Sequence, residues 1–270
     1  ALRVRQTLVF ARGERIQKGT TPVQAADGTI FLVRGDESPL TVSFNGQSMS
    51  ARKSWEGNLI ECAHFGDSLY FLTSVGKLYK ATFLPPGGVR VDFVRNHAEG
   101  EAQEFGMVLS RSINGQKLVY RACDTVSDGI TVDDEIEEEV ECSLLVSIKN
   151  RKLIYAEPGR ETSVGDVASN AILVTFTENM GEANLYDTYT VDDAPFVYLL
   201  TGVNQMVVVN TDTNQFQSID LSCGSESVSF YRIVGVHNGV ITLKGKSTDE
   251  NYYFFTADMP ENARKSCSVM

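Results

Sequence analysis

The residues able to do chemistry in this 270-residue chain are few and scattered. Three histidines, His64, His97 and His237, stand far apart. None falls in a pattern such as HExxH, which would set two imidazoles on one helix face for a metal. The five cysteines, Cys62, Cys123, Cys142, Cys223 and Cys267, include no CxxC pair, so a zinc site has no ligand spacing to start from. The nucleophile elbow, the phosphate-binding loop and the dinucleotide glycine pattern are all missing. The expectation is a chain that is not an enzyme and uses no cofactor and no metal.

Charge offers a better lead. In Asp124–Glu141, DTVSDGITVDDEIEEEVE, nine of eighteen residues are Asp or Glu. Mutual repulsion predicts a flexible excursion from a hairpin there. Counted from Asp124, Asp128, Gly129 and Glu135 fall where a calcium loop needs them. Val126 cannot ligate, however, and Thr131 replaces the usual apolar residue. The expected role is docking to the basic patch of a protein partner through Asp133, Asp134, Glu135, Glu137, Glu138 and Glu139. Trp55, the single tryptophan, lies in RKSWEG. Exposed between cations it would be an interface hot spot, and buried it would be packing. Cys123 and Cys142 bracket the acidic segment and suit either a disulfide across a hairpin stem or two free thiols. Cys267-Ser268-Val269-Met270 has the C-a-a-X form typical of farnesylation, with Arg264 and Lys265 upstream. A prenyl group on Cys267 would give weak, reversible membrane association.

Composition narrows the classes. A net charge of −11 argues against a nucleic-acid surface, which needs clustered Lys and Arg. The basic N-terminus, with Arg3, Arg5, Arg12, Arg15 and Lys18, reads as a solvated strand face. No apolar run approaches the roughly 18 residues of a membrane span. An odd cysteine count and the lack of any Asn-x-Ser/Thr sequon favour a reducing, cytoplasmic setting.

The elements that must carry these residues are strands. Leu69–Thr82 reads LYFLTSVGKLYKAT and Val197–Thr211 reads VYLLTGVNQMVVVNT, each followed by a third strand-like run, Val89–Val94 and Phe216–Leu221. A three-strand meander therefore occurs twice. A single meander cannot bury its apolar face, so copies must pack together. DGTIFL at Asp27, NGQKLVY at Asn114 and NGVITL at Asn238 echo the turn-then-strand pattern. Leu72 and Leu200 stand 128 residues apart. Three units in that span give about 43 residues each, within the roughly 40–50 of propeller blades. The region 115–195, with runs Leu144–Ile148, Lys152–Tyr155 and Ala171–Phe176, resists phasing. Helix signals are confined to His97–Gln103 and Asp258–Lys265.

These meanders resemble those of β-propeller repeat proteins over about four-fifths of the chain, without the Trp-Asp or paired-glycine signatures of the two large families. The resemblance implies an all-β propeller of four-stranded antiparallel blades, six first and seven as the alternative. It would form one domain over 1–258, with the acidic insertion at 124–141 and a tail at 259–270. The N-terminal strand, Leu2–Phe10, is expected to complete the last blade. The expected function is a non-catalytic protein-interaction platform. The alternatives are an enzyme or small-ligand binder with its site in the axial channel, and two packed β-domains.

Overall fold

A computed structural model describes residues 6–25, 27–34, 40–65, 68–73, 75, 77–84, 88–96, 187–190, 194–210, 212–213 and 215–263. It also describes the backbone of the strands between residues 108 and 179. Among the described residues there is no α-helix. Strands make up the chain, and one 3₁₀ turn, Glu261–Ala263, follows Pro260. The helix expected over Asp258–Lys265 is corrected accordingly: Asp258 ends a strand. The helix expected at His97–Gln103 lies outside the described residues.

The strands come in consecutive antiparallel meanders. The chain opens with β1 (Gln6–Val9) and β2 (Ala11–Ile16). The first meander is β3 (Thr21–Gln24), β4 (Ile30–Arg34), β5 (Leu40–Phe44) and β6 (Gln47–Ala51). The next is β7 (Leu59–Phe65), β8 (Ser68–Thr73), β9 (Lys77–Leu84) and β10 (Gly88–Asn96). These two join into one eight-stranded sheet through a single parallel pair, Gly88 with Ser50. Then come β11 (Val108–Arg111), β12 (Leu118–Ala122), β13 (Asp128–Val132) and β14 (Ile136–Val140). They are followed by β15 (Leu145–Lys149), β16 (Lys152–Tyr155), β17 (Glu161–Asp166) and β18 (Ala171–Asn179). The fifth group is β19 (Asp187–Thr190), β20 (Phe196–Gly202), β21 (Gln205–Asn210) and β22 (Gln215–Ser222), with β1 added in parallel on β22. The last group is β23 (Ser229–His237), β24 (Val240–Lys246) and β25 (Tyr252–Asp258), completed by β2.

The twice-seen sequence meander is thus β8–β10 and β20–β22. Local chemistry explains the tight turns. Asn45-Gly46 and Asn238-Gly239 take positive φ at both positions (48° and 73°, 49° and 76°), which two-residue hairpin turns require. Alternation supplies the buried faces, as in Leu40 and Val42 on β5.

The first strand of each meander touches the first strand of the next. The contacts run β3 to β7, β7 to β11, β11 to β15, β15 to β19, β19 to β23, and β23 back to β3. β11 also touches β19, and the sheets pack against one another through these first strands. Two apolar clusters fill the described spaces. One lies in β3–β9 around Val42, Leu69 and Phe71. The other joins β1 to β19–β25 around Tyr198, Met206, Ile219 and Phe255.

Two expectations are corrected here. Closure uses β2, residues 11–16, while β1 serves the preceding sheet. The strand expected over Leu2–Phe10 is described as β1 over Gln6–Val9, and the closing strand is a second one that follows Phe10. The acidic segment contains paired strands instead of a free excursion: β13 and β14 bond from Asp128↔Val140 to Val132↔Ile136. Ile130, Val132, Ile136 and Val140 recur at spacings of two and four along the sequence, and that alternation outweighs the repulsion among the carboxylates.

Candidate interaction surface

Trp55 does not face a partner. It is 4% exposed, with its ring edge-on to Phe71 at 5.7 Å. The loop after β6 is pinned over it. The Glu56 amide donates to the Tyr79 hydroxyl at 3.1 Å, and Lys77 pairs with Glu56 at 2.9 Å. Phe71 stacks on Tyr79 at 5.5 Å, and Tyr79 meets Phe93 edge-on at 5.8 Å. This aromatic series surfaces at Phe93, which is 52% exposed. Phe93 was not singled out in the sequence because its run alternates like any half-buried strand.

Of the acidic residues, Asp133, Asp134 and Glu135 lie outside the described residues. Glu137, Glu138 and Glu139 are consecutive on β14, the outermost strand of its sheet. Charges on an edge strand discourage pairing with other chains. Cys123, Cys142 and Cys267 lie outside the described residues. Cys62 is buried and Cys223 half-buried, and neither is in a disulfide. Burial, helped by Glu226, pushes the Cys223 thiol pKa up.

Two of the three histidines converge where β3 and β23 end. The His237 ring lies so close to Gly28 that a Cβ there would fall 2.7 Å from it. The Thr29 amide bonds Asp27 at 2.9 Å and chiefly holds its carboxyl below the usual range, with smaller help from His64 and His237. Among the described residues, no group of three His, Cys, Asp or Glu side chains is placed to hold a metal ion.

At the opposite face, where the first strands begin, cations dominate. Arg232 on β23 donates to the carbonyls of Pro22 on β3 (3.2 Å) and Cys62 on β7 (2.9 Å). Lys244, directly across from Arg232 on β24, donates to the Thr20 carbonyl at 3.2 Å and lies 4.7 Å from the centre of the Tyr252 ring. Burial, and then repulsion from Arg232, pull the Lys244 pKa down. Asp187 on β19 accepts the Ile233 amide at 2.7 Å. Three first strands are thus tied to β23 by side chains bonded to backbone. Nothing local in the sequence signals this, since Arg232 and Pro22 are 210 residues apart.

No protein-family model matches the sequence, and no curated protein matches it. Solved structures do. YCF48 from Cyanidioschyzon merolae aligns at TM-score 0.55 and 12% identity, covering 87% of this chain and 80% of that one. A chain of the mitotic checkpoint complex aligns at TM-score 0.58 and 12% identity, covering 96% of this chain and 95% of its own. Both neighbours are β-propeller proteins. The fold is a β-propeller. At this identity the likeness speaks for the fold alone. In such a fold antiparallel meanders form the blades, and β2 is an N-terminal strand that pairs with β25 in the last group. Among the described residues, no helix is long and apolar enough to cross a membrane.

Proposed function

We propose that this propeller has six blades and works as a non-catalytic platform for protein–protein interaction. The blade number is supported by the cycle of first strands β3, β7, β11, β15, β19 and β23. An experimental map that resolves separate strands tests it, and a seventh blade would overturn it. The platform reading rests on one placement: the Glu137–Glu139 run occupies an edge strand. A rigid ring holding variable loops and a charged edge suits recognition of a partner with a basic patch, and such recognition is sensitive to salt. The checkpoint-complex neighbour, which matches 96% of the chain, is itself part of an assembly.

The test is a pulldown from native lysate with wild type and with Glu137→Gln, Glu138→Gln, Glu139→Gln combined. Deleting 124–141 is unsuitable, because it removes two strands of a blade. Loss of a reproducible partner in the triple variant supports the platform reading. An unchanged partner set removes the acidic edge from it. The setting proposed is a reducing, cytoplasmic one, consistent with Cys62 and Cys223 as thiols. Prenylation of Cys267 adds weak membrane association to the proposal. An intact mass from the native cell showing an unmodified Cys267 would sink that part.

A further inference from the structure

We propose that the surface where the β23–β25 blade meets the β3–β6 blade docks an extended, carboxylate-rich segment of a partner protein. This rests on the platform reading but uses a different surface from the acidic edge.

Charge is segregated along the chain. Residues 1–96 carry 12 Lys and Arg against 8 Asp and Glu, and residues 97–193 carry 7 against 20. Residues 194–270 carry 5 against 7, so the junction of the last blade with the first joins a nearly balanced segment to the cationic one, away from the acidic middle of the chain. Register concentrates the charge further. Arg232 and Lys244 face each other across β23 and β24, and Lys246 follows two residues on, on the same face of the strand. Like charges directly opposite weaken a sheet. Carbonyl bonds from Thr20, Pro22 and Cys62 hold these two cations in place. Among the described residues no carboxylate lies within ion-pair distance of Lys244. Lys246 has Glu250, whose side chain is 77% exposed on the β24–β25 turn, so an incoming carboxylate displaces it at little cost. Lys18 and Arg34, both exposed, flank Thr20: one lies two residues upstream and the other beside it, one step beyond the Thr21↔Val33 pair.

Shape adds a second observation. The register of β23 shifts between Phe230 and Arg232, so Tyr231 is the bulged residue. Bulges re-aim side chains, and Tyr231 is 39% exposed, its ring edge-on to Tyr252 at 6.3 Å. An aromatic pair beside convergent cations is a hot-spot arrangement for an acidic peptide. A long polyanion is less suited, because the neighbouring acidic blades repel its continuing backbone. A peptide a few residues long meets only the local patch.

The experiment is fluorescence anisotropy of fluorescein-labelled hexaglutamate with the full chain at about 20 mM and about 200 mM salt. The expected result is saturable binding at low salt, weakened about tenfold or more at high salt. Lys244→Glu with Lys246→Glu should weaken it about tenfold. Tyr231→Ala, a truncation at an exposed position that spares the fold, should weaken it severalfold. Arg90→Glu, on β10 of the second meander, should not. Absence of binding at low salt, or equal loss in Arg90→Glu, would overturn the proposal. So would tighter binding of dodecathymidylate than of hexaglutamate, which assigns the face to nucleic acid. Self-association abolished by Lys244→Glu would assign it to a second copy instead. The Glu137–Glu139 triple variant should bind hexaglutamate as well as wild type, so this assay and the pulldown fail independently.

Discussion

At the residue scale, Tyr198 and Trp55 carry opposite polar accounts. Tyr198 is 1% exposed, and its hydroxyl donates to the Ala263 carbonyl at 2.8 Å, fastening the 3₁₀ turn beneath the β19–β22 blade. In Tyr198→Phe that carbonyl loses its donor, and a cost of about 1–2 kcal/mol is expected in urea unfolding at neutral pH. Burial raises the Tyr198 pKa above 10.0. The folded state therefore holds the proton where the unfolded chain has released it. The hydroxyl contributes its full stability below pH 10, and that contribution is lost as pH rises through the folded value. The alkaline limb of a stability–pH curve should accordingly be shallower in Tyr198→Phe. An identical slope would mean that the hydroxyl titrates freely. Trp55 buries its indole N–H with no hydrogen-bond partner among the described residues. Trp55→Ala removes core volume and should cost about 3–5 kcal/mol. Trp55→Phe discards an unpaired donor while keeping an aromatic ring against Phe71, so it should cost clearly less. A Trp55→Phe cost close to that of Trp55→Ala in matched denaturation curves would mean that the N–H is satisfied.

At the element scale, the N-terminal strap of β1 and β2 spans two blades. Phe10, at the joint, is 3% exposed and packs on Phe230 with ring centres 5.0 Å apart. Arg12 bonds Glu226 at 3.1 Å and lies over Tyr253 at 4.8 Å, but it is 46% exposed. Apolar burial should win. Phe10→Ala is expected to cost about 3–5 kcal/mol, and Arg12→Ala under about 1 kcal/mol. Thermal unfolding of the two variants checks this ranking, and equal shifts in Tm would show the ion pair to be the closure. The strap also marks where sequence reading stopped. The β8–β10 and β20–β22 meanders were legible because turn chemistry and period-two alternation are local. The separate closing strand β2 was not, because Phe10 satisfies the alternation of either neighbour and only the blades it joins decide where β1 ends and β2 begins. The acidic strands were misread for a related reason. Charge repulsion is visible in sequence, whereas the sheet that β13 and β14 complete is not. The cationic surface around Lys244 was invisible altogether, since it comes from register and from chain ends meeting.

At the scale of the whole molecule, a propeller is as strong as the junction where its first and last blades meet. Neither described apolar cluster crosses from β23 to β3: one ends with β25, and the other begins with Val23. The junction is held by the Arg232 and Lys244 bonds to carbonyls and by close packing of Gln24 on Gly235. A Cβ added at Gly235 would fall 2.4 Å from Gln24 Oε1 and 2.5 Å from Gln24 Cβ. The amide end has room to rotate, but the Cβ is fixed to the β3 backbone, so β3 and β23 must separate. Gly235→Ala should therefore cost about 1–3 kcal/mol by overpacking. Its effect should also be uneven. Each blade keeps its own hydrogen bonds, so the ring should loosen at this junction before any blade unravels. In hydrogen exchange, amides of β3 and β23 should exchange at least about tenfold faster in the variant, while those of β20 and β21 stay protected. Uniform acceleration across both sets would mean that the propeller opens only by global unfolding, and the polar junction would then be as secure as the apolar ones.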